Sequence, residues 1–171
     1  CKAYAQLPLT TDYTAAKMFL RTINTDMVPT QGTDIGNAVE MALSYFETGK
    51  DQNRVLFILS DGESHEEGAL EASELASENG ILIHAIGLGT LDGGPIPIKR
   101  NGVIKGYKKD NDDKVVVTKM DPAMLQQLSF STEGSFTDGS NTKETIEFIK
   151  TSLGRMEKIE SETEMYTDYE D

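Results

Sequence analysis

Two short stretches place oxygen donors where a parallel sheet could use them. In RVLFILSDGESHEEG, residues 54–68, an apolar run passes directly into Ser60, Asp61, Gly62, Glu63, Ser64, His65, Glu66 and Glu67. In QGTD, residues 31–34, Thr33 stands just before a segment with helical apolar periodicity. A hydroxyl and a carboxylate are hard ligands, suited to Mg²⁺ or Mn²⁺. Magnesium keeps near-octahedral geometry and retains several waters, so Thr33 and Asp61 amount to part of a site. Ser60 and Glu63 are the neighbours expected around such an ion.

The remaining candidates compete with plainer roles. Glu63, His65, Glu66 and Glu67 could add ligands, but carboxylates in a first turn also stabilise a helix N-terminus. HEEGA is not the zinc-protease pattern, because the second His would fall at Ala69. Ser60 has neither the flanking glycines of a nucleophile elbow nor a credible His partner. A metal-assisted hydrolase using Asp61, Glu63 and His65 is the enzymatic alternative to a binding module. In GLGTLDGG, Gly87 and Gly89 fit a dinucleotide loop, yet Asp92 takes the third glycine's place and Pro95 follows where a helix should begin. His84 lies inside an apolar run and is expected in the core.

These residues need a scaffold, and the pattern predicts an α/β one. VLFILS and ILIHAIGLG have the continuous apolar character of parallel strands covered on both faces. Between them EEGALEASELASENG predicts a helix closed by Asn79 and Gly80. Strand, helix and strand in so short a span define a parallel crossover. Ligands of such sheets collect beyond the carboxyl ends of the strands, where Asp61 falls. Upstream, AYAQLPL alternates like a strand ending near Leu9, with Pro8 at its edge. A helix follows from Thr11 or Asp12 with Ala15, Phe19 and Ile23 in register, and a second carries Ile35, Val39, Ala42, Leu43 and Phe46, stopping near Gly49.

Residues 92–120 depart from that rhythm. Asn101-Gly102 is a strong hairpin turn signal, and DNDD marks a second turn. Lys99, Arg100, Lys105, Lys108, Lys109, Lys114 and Lys119 make this excursion basic. Lysines can keep an edge hairpin soluble; alternatively the surface docks an acidic partner, or anionic lipid near a membrane. Asp121 and Pro122 then start a helix through PAMLQQLSF. GSFTDG suggests a short strand, and Ile146, Ile149 and Leu153 give a last helix its buried face. From Glu157 onward, seven acidic residues accompany one Lys, the mark of a solvated helix end, a disordered tail or a linker.

The bulk numbers agree with a single globular domain: 171 residues, 37% hydrophobic, 26% charged. A formal net charge of −13 argues against nucleic acid and favours cations. The single cysteine, Cys1, excludes an internal disulfide and a multi-Cys zinc site. No apolar run reaches the length of a membrane span, about 20 residues.

QGTDIGNAVEMAL, RVLFILSDGESHEEG, GILIHAIGLGT and GGPIPI together resemble the von Willebrand factor A (VWA) domain, and most closely the Bat (BatA/BatB) family of bacterial aerotolerance-associated membrane proteins. AYAQLPLTTDYTAAKMFL and TKMDPAMLQQLS fit that family too, so the likeness covers residues 3 to 155. It implies a Rossmann-like, mostly parallel sheet flanked by helices, with an inserted β-hairpin. It also implies residues 1–156 as a partial domain lacking its first strand, helix and second strand, and 157–171 as acidic tail or linker. In such domains a metal-ion-dependent adhesion site (MIDAS) takes a Thr and an Asp at the positions of Thr33 and Asp61, the Asp usually through water. The principal ligands come from an Asp-x-Ser-x-Ser motif, which this chain lacks. The implied function is a protein–protein interaction module on a membrane-anchored protein, its anchor outside this chain, at the inner membrane and facing the periplasm. The intact domain would hold Mg²⁺ or Mn²⁺ and present it to a partner's acidic side chain; a metal-independent scaffold is the alternative. Little tight metal binding is expected of this chain alone, and an unfilled sheet edge invites a homodimer or strand exchange.

Overall fold

The computed structural model describes residues 2–24, 27, 32–46, 54–63, 68–100, 102–110 and 112–155 in full, and 156–167 as helix backbone. The organising element is a three-stranded, all-parallel sheet in the order β1-β2-β7, formed by Arg54–Ser60, Ile81–Gly87 and Phe136–Asp138. β1 and β2 pair in register from Arg54↔Ile81 to Ser60↔Gly87, and β2 pairs β7 from Ala85↔Phe136 to Gly87↔Asp138. The α/β class and the parallel crossover expected from VLFILS and ILIHAIG are therefore present.

β2 is the buried spine. Its alternate side chains serve two layers. Ile81 and Ile83 join Ile35, Val39, Ala72, Ala76 and Leu128 in one apolar cluster. These come from α2 (Ile35–Tyr45), α3 (Ala69–Glu78) and α4 (Pro122–Phe130). On the opposite face His84 stacks between the rings of Phe57, 5.3 Å away, and Phe148, 5.7 Å away. Phe148 belongs to α5 (Thr142–Thr167), so the sheet is covered on both faces at β2. His84 is buried, as the sequence suggests, and its Nδ1 accepts from the Ser135 backbone N–H at 3.0 Å.

The helix starts follow local capping chemistry. Asp12 caps α1 (Tyr13–Thr22), accepting from Thr14 and Ala15, while Asp34 caps α2, accepting from Asn37 at 2.9 Å. Asp121 caps α4 through Ala123 and Met124, with Pro122 at the first helical position. Asn141 accepts from the Lys143 N–H at 3.1 Å as α5 begins. The Gly89–Gly93 stretch turns into a hairpin layer rather than a helix. There β3 (Gly94–Pro95) pairs β6 (Val117–Thr118), and β4 (Pro97–Arg100) pairs β5 (Val103–Tyr107).

Several expectations are corrected. AYAQLPL is not a strand: residues 2–10 have no ladder, and the Ala3 N–H goes instead to the Asn37 side chain at 2.7 Å. β1 is not covered on both faces, since its residues are only half-buried and Leu59 is 60% exposed. One edge pairs with β2, and among the described residues no strand pairs with the other. Ile23 leaves the α1 stripe as an exposed C-cap residue. In α5, Ile146 and Leu153 are exposed; the inward face comprises Phe148, Ile149 and Ser152. The second helix stops earlier than expected, at Tyr45 with Phe46 as its C-cap residue; Gly49 itself lies outside the described residues. α5 runs through residue 157 without a break, continuing to Thr167.

Candidate functional site

At the carboxyl ends of the parallel strands Ser60, Gly87 and Asp138 lie side by side. The Asp61 loop leaves β1 and is tied at once to the start of α4: the Asp121 N–H donates to the Asp61 carbonyl at 2.7 Å. Gly62, buried at φ +81°, permits the contact, because a Cβ there would run into the Asp121 carbonyl. Ser60 Oγ accepts from the Gly62 N–H at 3.1 Å, and Asp61 Oδ1 accepts from the Glu63 N–H at 3.2 Å. These short bonds shape the turn that follows the strand.

Glu63 has a role the helix-start reading missed. It precedes the helix, since α3 begins only at Ala69 after Gly68 in the left-handed region. Its Oε1 accepts from the Lys119 N–H at 3.0 Å, bridging 56 positions of sequence. Its carboxylate therefore clasps the segment that enters α4. His65, Glu66 and Glu67 lie outside the described residues, so their candidate roles as ligands or helix-start carboxylates do too.

The Thr33 loop borders the open side of β1. The site of a Cβ on Gly36, in the first turn of α2, is 2.9 Å from the Gly68 carbonyl. Gly68 is the N-cap residue of α3, so the N-termini of α2 and α3 stand together. Thr33 and Asp34 accordingly line one cavity together with Ser60. This cavity, of about 660 Å³, follows the open edge of β1 from Leu56 to Ser60 and is bordered across from it by Lys2, Ala3, Tyr4 and Gln6. Asp34 went unnoticed as part of this wall, although TD before an apolar helix was a legible capping signal.

The donor set is chemically hard but small. Thr33 offers a hydroxyl and Asp61 a carboxylate, which suit Mg²⁺ or Mn²⁺. Ser60 Oγ and Asp61 Oδ1 each already accept a backbone N–H. Among the described residues no group of three or more His, Cys, Asp or Glu side chains is placed to hold a metal ion. These residues thus match a cation's chemistry but not its coordination number. Asp138, at the end of β7, is held below the usual carboxylate range by the Ser140 backbone N–H, 2.8 Å away, and by the Ser140 hydroxyl.

An open parallel sheet with a Thr loop and an Asp-Gly turn on its carboxyl rim defines a known class. Residues 2–130 match the family model of the von Willebrand factor type A domain, and the chain belongs to that family. Among solved structures it is similar to the conserved hypothetical protein BatB from Bacteroides thetaiotaomicron, at 34% identity and TM-score 0.85, over 92% of this chain and 75% of that one. It is similar to the same degree, 34% identity and TM-score 0.82, to an aerotolerance-related membrane protein from Bacteroides fragilis, over 91% and 75% of the two chains. Comparison with curated proteins gives no match. No helix among the described residues is long and apolar enough to cross a membrane.

Proposed function

We propose that this VWA domain is a protein–protein interaction module of a membrane-anchored, aerotolerance-type bacterial protein, and that its rim contributes to a divalent-cation site. Thr33 would be a direct ligand and Asp61 a water-mediated one, with Ser60 and Glu63 alongside. The remaining positions would be filled by water, by donors outside these two loops and by an acidic side chain of the partner. The observation that supports this reading is that Thr33, Asp34 and Ser60 line one cavity, Ser60 being the residue just before Asp61. The inner-membrane setting and the periplasmic face belong to the same proposal and rest on the family likeness.

Weak occupancy is expected from so few donors, so the test must detect millimolar binding. Mn²⁺ added to the isotopically labelled chain should broaden the amide signals of residues 32–34 and 60–62 first. Thr33→Ala combined with Asp61→Asn should abolish that local broadening while leaving the fold intact. Broadening confined to the acidic residues beyond 157, or unchanged in the double variant, would overturn the cation reading.

A further inference from the structure

The β4–β5 hairpin is the feature that the rim does not explain. It forms a two-stranded ladder apart from the parallel sheet, tied at its base by the Lys108 N–H to the Ile96 carbonyl, and of its described residues only Gly106 is half-buried rather than exposed. Beyond that base a two-stranded hairpin has little to pack against. This one also exposes large apolar side chains: Val103 is 56% exposed, Ile104 50% and Ile98 48%, with Tyr107 close behind. Solubility would explain lysines on such an edge, but not the aliphatic residues set between them.

Charge identifies what covers it. Residues 97–119 hold seven Lys and Arg against three Asp, in a chain of net charge −13. Lys109 pairs with Asp113 and Lys114 approaches Asp112, so the acids of this region are spent at the second turn. Lys99, Arg100, Lys105 and Lys108 make no ion pair among the described residues. The register places Arg100 opposite Val103 and Lys99 opposite Ile104, with an irregularity after Ile98. Each face of the hairpin therefore mixes cations with aliphatic groups. Arg100 and Lys105 flank a shallow depression of about 300 Å³ next to Ile98 and Gly106.

We propose that this hairpin docks on an anionic phospholipid surface. Lys99, Arg100 and Lys105, nearest the turn, would meet headgroup phosphates while Val103 and Ile104 enter the boundary with the acyl chains. An acidic protein would cover one face of the hairpin, whereas a bilayer surrounds an inserted tip and so meets the cations and aliphatic groups of both faces at once. The acidic body does not forbid it. A five-residue strand reaches about 16 Å, whereas charge is screened beyond roughly 10 Å at 0.1 M salt. The proposal is independent of the cation reading.

The test is co-flotation of the 171-residue chain with vesicles in 0.1 M NaCl and EDTA, which keeps divalent ions from bridging. Vesicles of phosphatidylethanolamine and phosphatidylglycerol should capture the chain, and phosphatidylcholine vesicles should not. Each cation near such a surface is worth about fivefold in partition, so Arg100→Gln with Lys105→Gln should lose about 25-fold. Val103→Ser with Ile104→Ser should lose about tenfold. Lys109→Gln with Lys114→Gln should change little, and all variants should keep the parent melting temperature. Absence of capture by the anionic vesicles, equal capture by both kinds, or indifference to the hairpin variants would overturn the proposal. Retention on immobilised polyglutamate without vesicle capture would overturn it too, assigning the hairpin to an acidic protein.

Discussion

The backbone N–H of Asp121 donates to the carbonyl of Asp61 at 2.7 Å, joining the turn after β1 to the first residue before α4. One amide thus couples the candidate ligand loop to a helix whose Leu125 and Leu128 are fully buried. Side-chain freedom at Asp61 is therefore held on a backbone with little freedom of its own.

Gly62 makes that contact sterically permissible, so Gly62→Ala tests its worth. The left-handed conformation and the clash with Asp121 together should cost about 2–4 kcal/mol. Urea unfolding should show a lower midpoint with an unchanged slope.

Glu63 separates clasp from ligand. If its carboxylate mainly holds the Lys119 N–H, Glu63→Gln keeps an acceptor oxygen and should be close to neutral, while Glu63→Ala should lose about 0.5–1.5 kcal/mol. Equal losses from both variants in chemical denaturation would show that charge, rather than hydrogen bonding, matters there.

Thr132 takes the place of a strand. β7 pairs with β2 only from Ala85 to Gly87, and one residue pair further back the Ile83 N–H donates to Thr132 Oγ1 at 2.8 Å. That hydroxyl in turn donates to the Ser129 carbonyl at 2.9 Å. Thr132→Val leaves a buried N–H without an acceptor and should cost about 1–3 kcal/mol. Thr132→Ser, which keeps the hydroxyl, should cost only about 1 kcal/mol for the lost methyl.

His84 makes stability depend on pH. Burial lowers its pKa below the usual 6.5, and Arg155 adds to the lowering. The unfolded chain then binds more protons than the folded one below that ordinary value. Stability should be complete above about pH 6.5 and decline as pH falls towards the lowered folded value. His84→Phe should melt lower at pH 8, having left the Ser135 N–H unpaired, but should lose less on going from pH 7 to pH 5. Parallel melting curves for the two proteins across that range would refute the assignment.

The helices were legible where local chemistry decides them. Asp12, Asp34 and Asp121 each cap a helix in the structure, and each stands in the sequence just before an apolar-periodic run. The last helix shows the limit of that signal. Ile146, Ile149 and Leu153 share a helical spacing, yet the face turned to the sheet carries Phe148, Ile149 and Ser152, because Phe148 stacks on His84. Two overlapping stripes fit the same period, and only the packing partner selects one. The helix-start reading of Glu63 fails for a similar reason. Its sequence neighbours suggested a helix start, whereas its hydrogen-bond partner lies 56 residues away.

By itself the sequence determined where the described helices and the strands β1 and β2 lie, that the β1–α3–β2 crossover is parallel, and that Asp61 follows a strand end. These follow from backbone geometry, side-chain periodicity and capping, which act within a few residues. The tertiary structure alone decided who pairs with whom. It left one edge of β1 open among the described residues, made an unpaired coil of AYAQLPL and brought Thr33 and Ser60 to the lining of one cavity. A run of apolar residues records that burial is favourable; it does not record which surface will provide it.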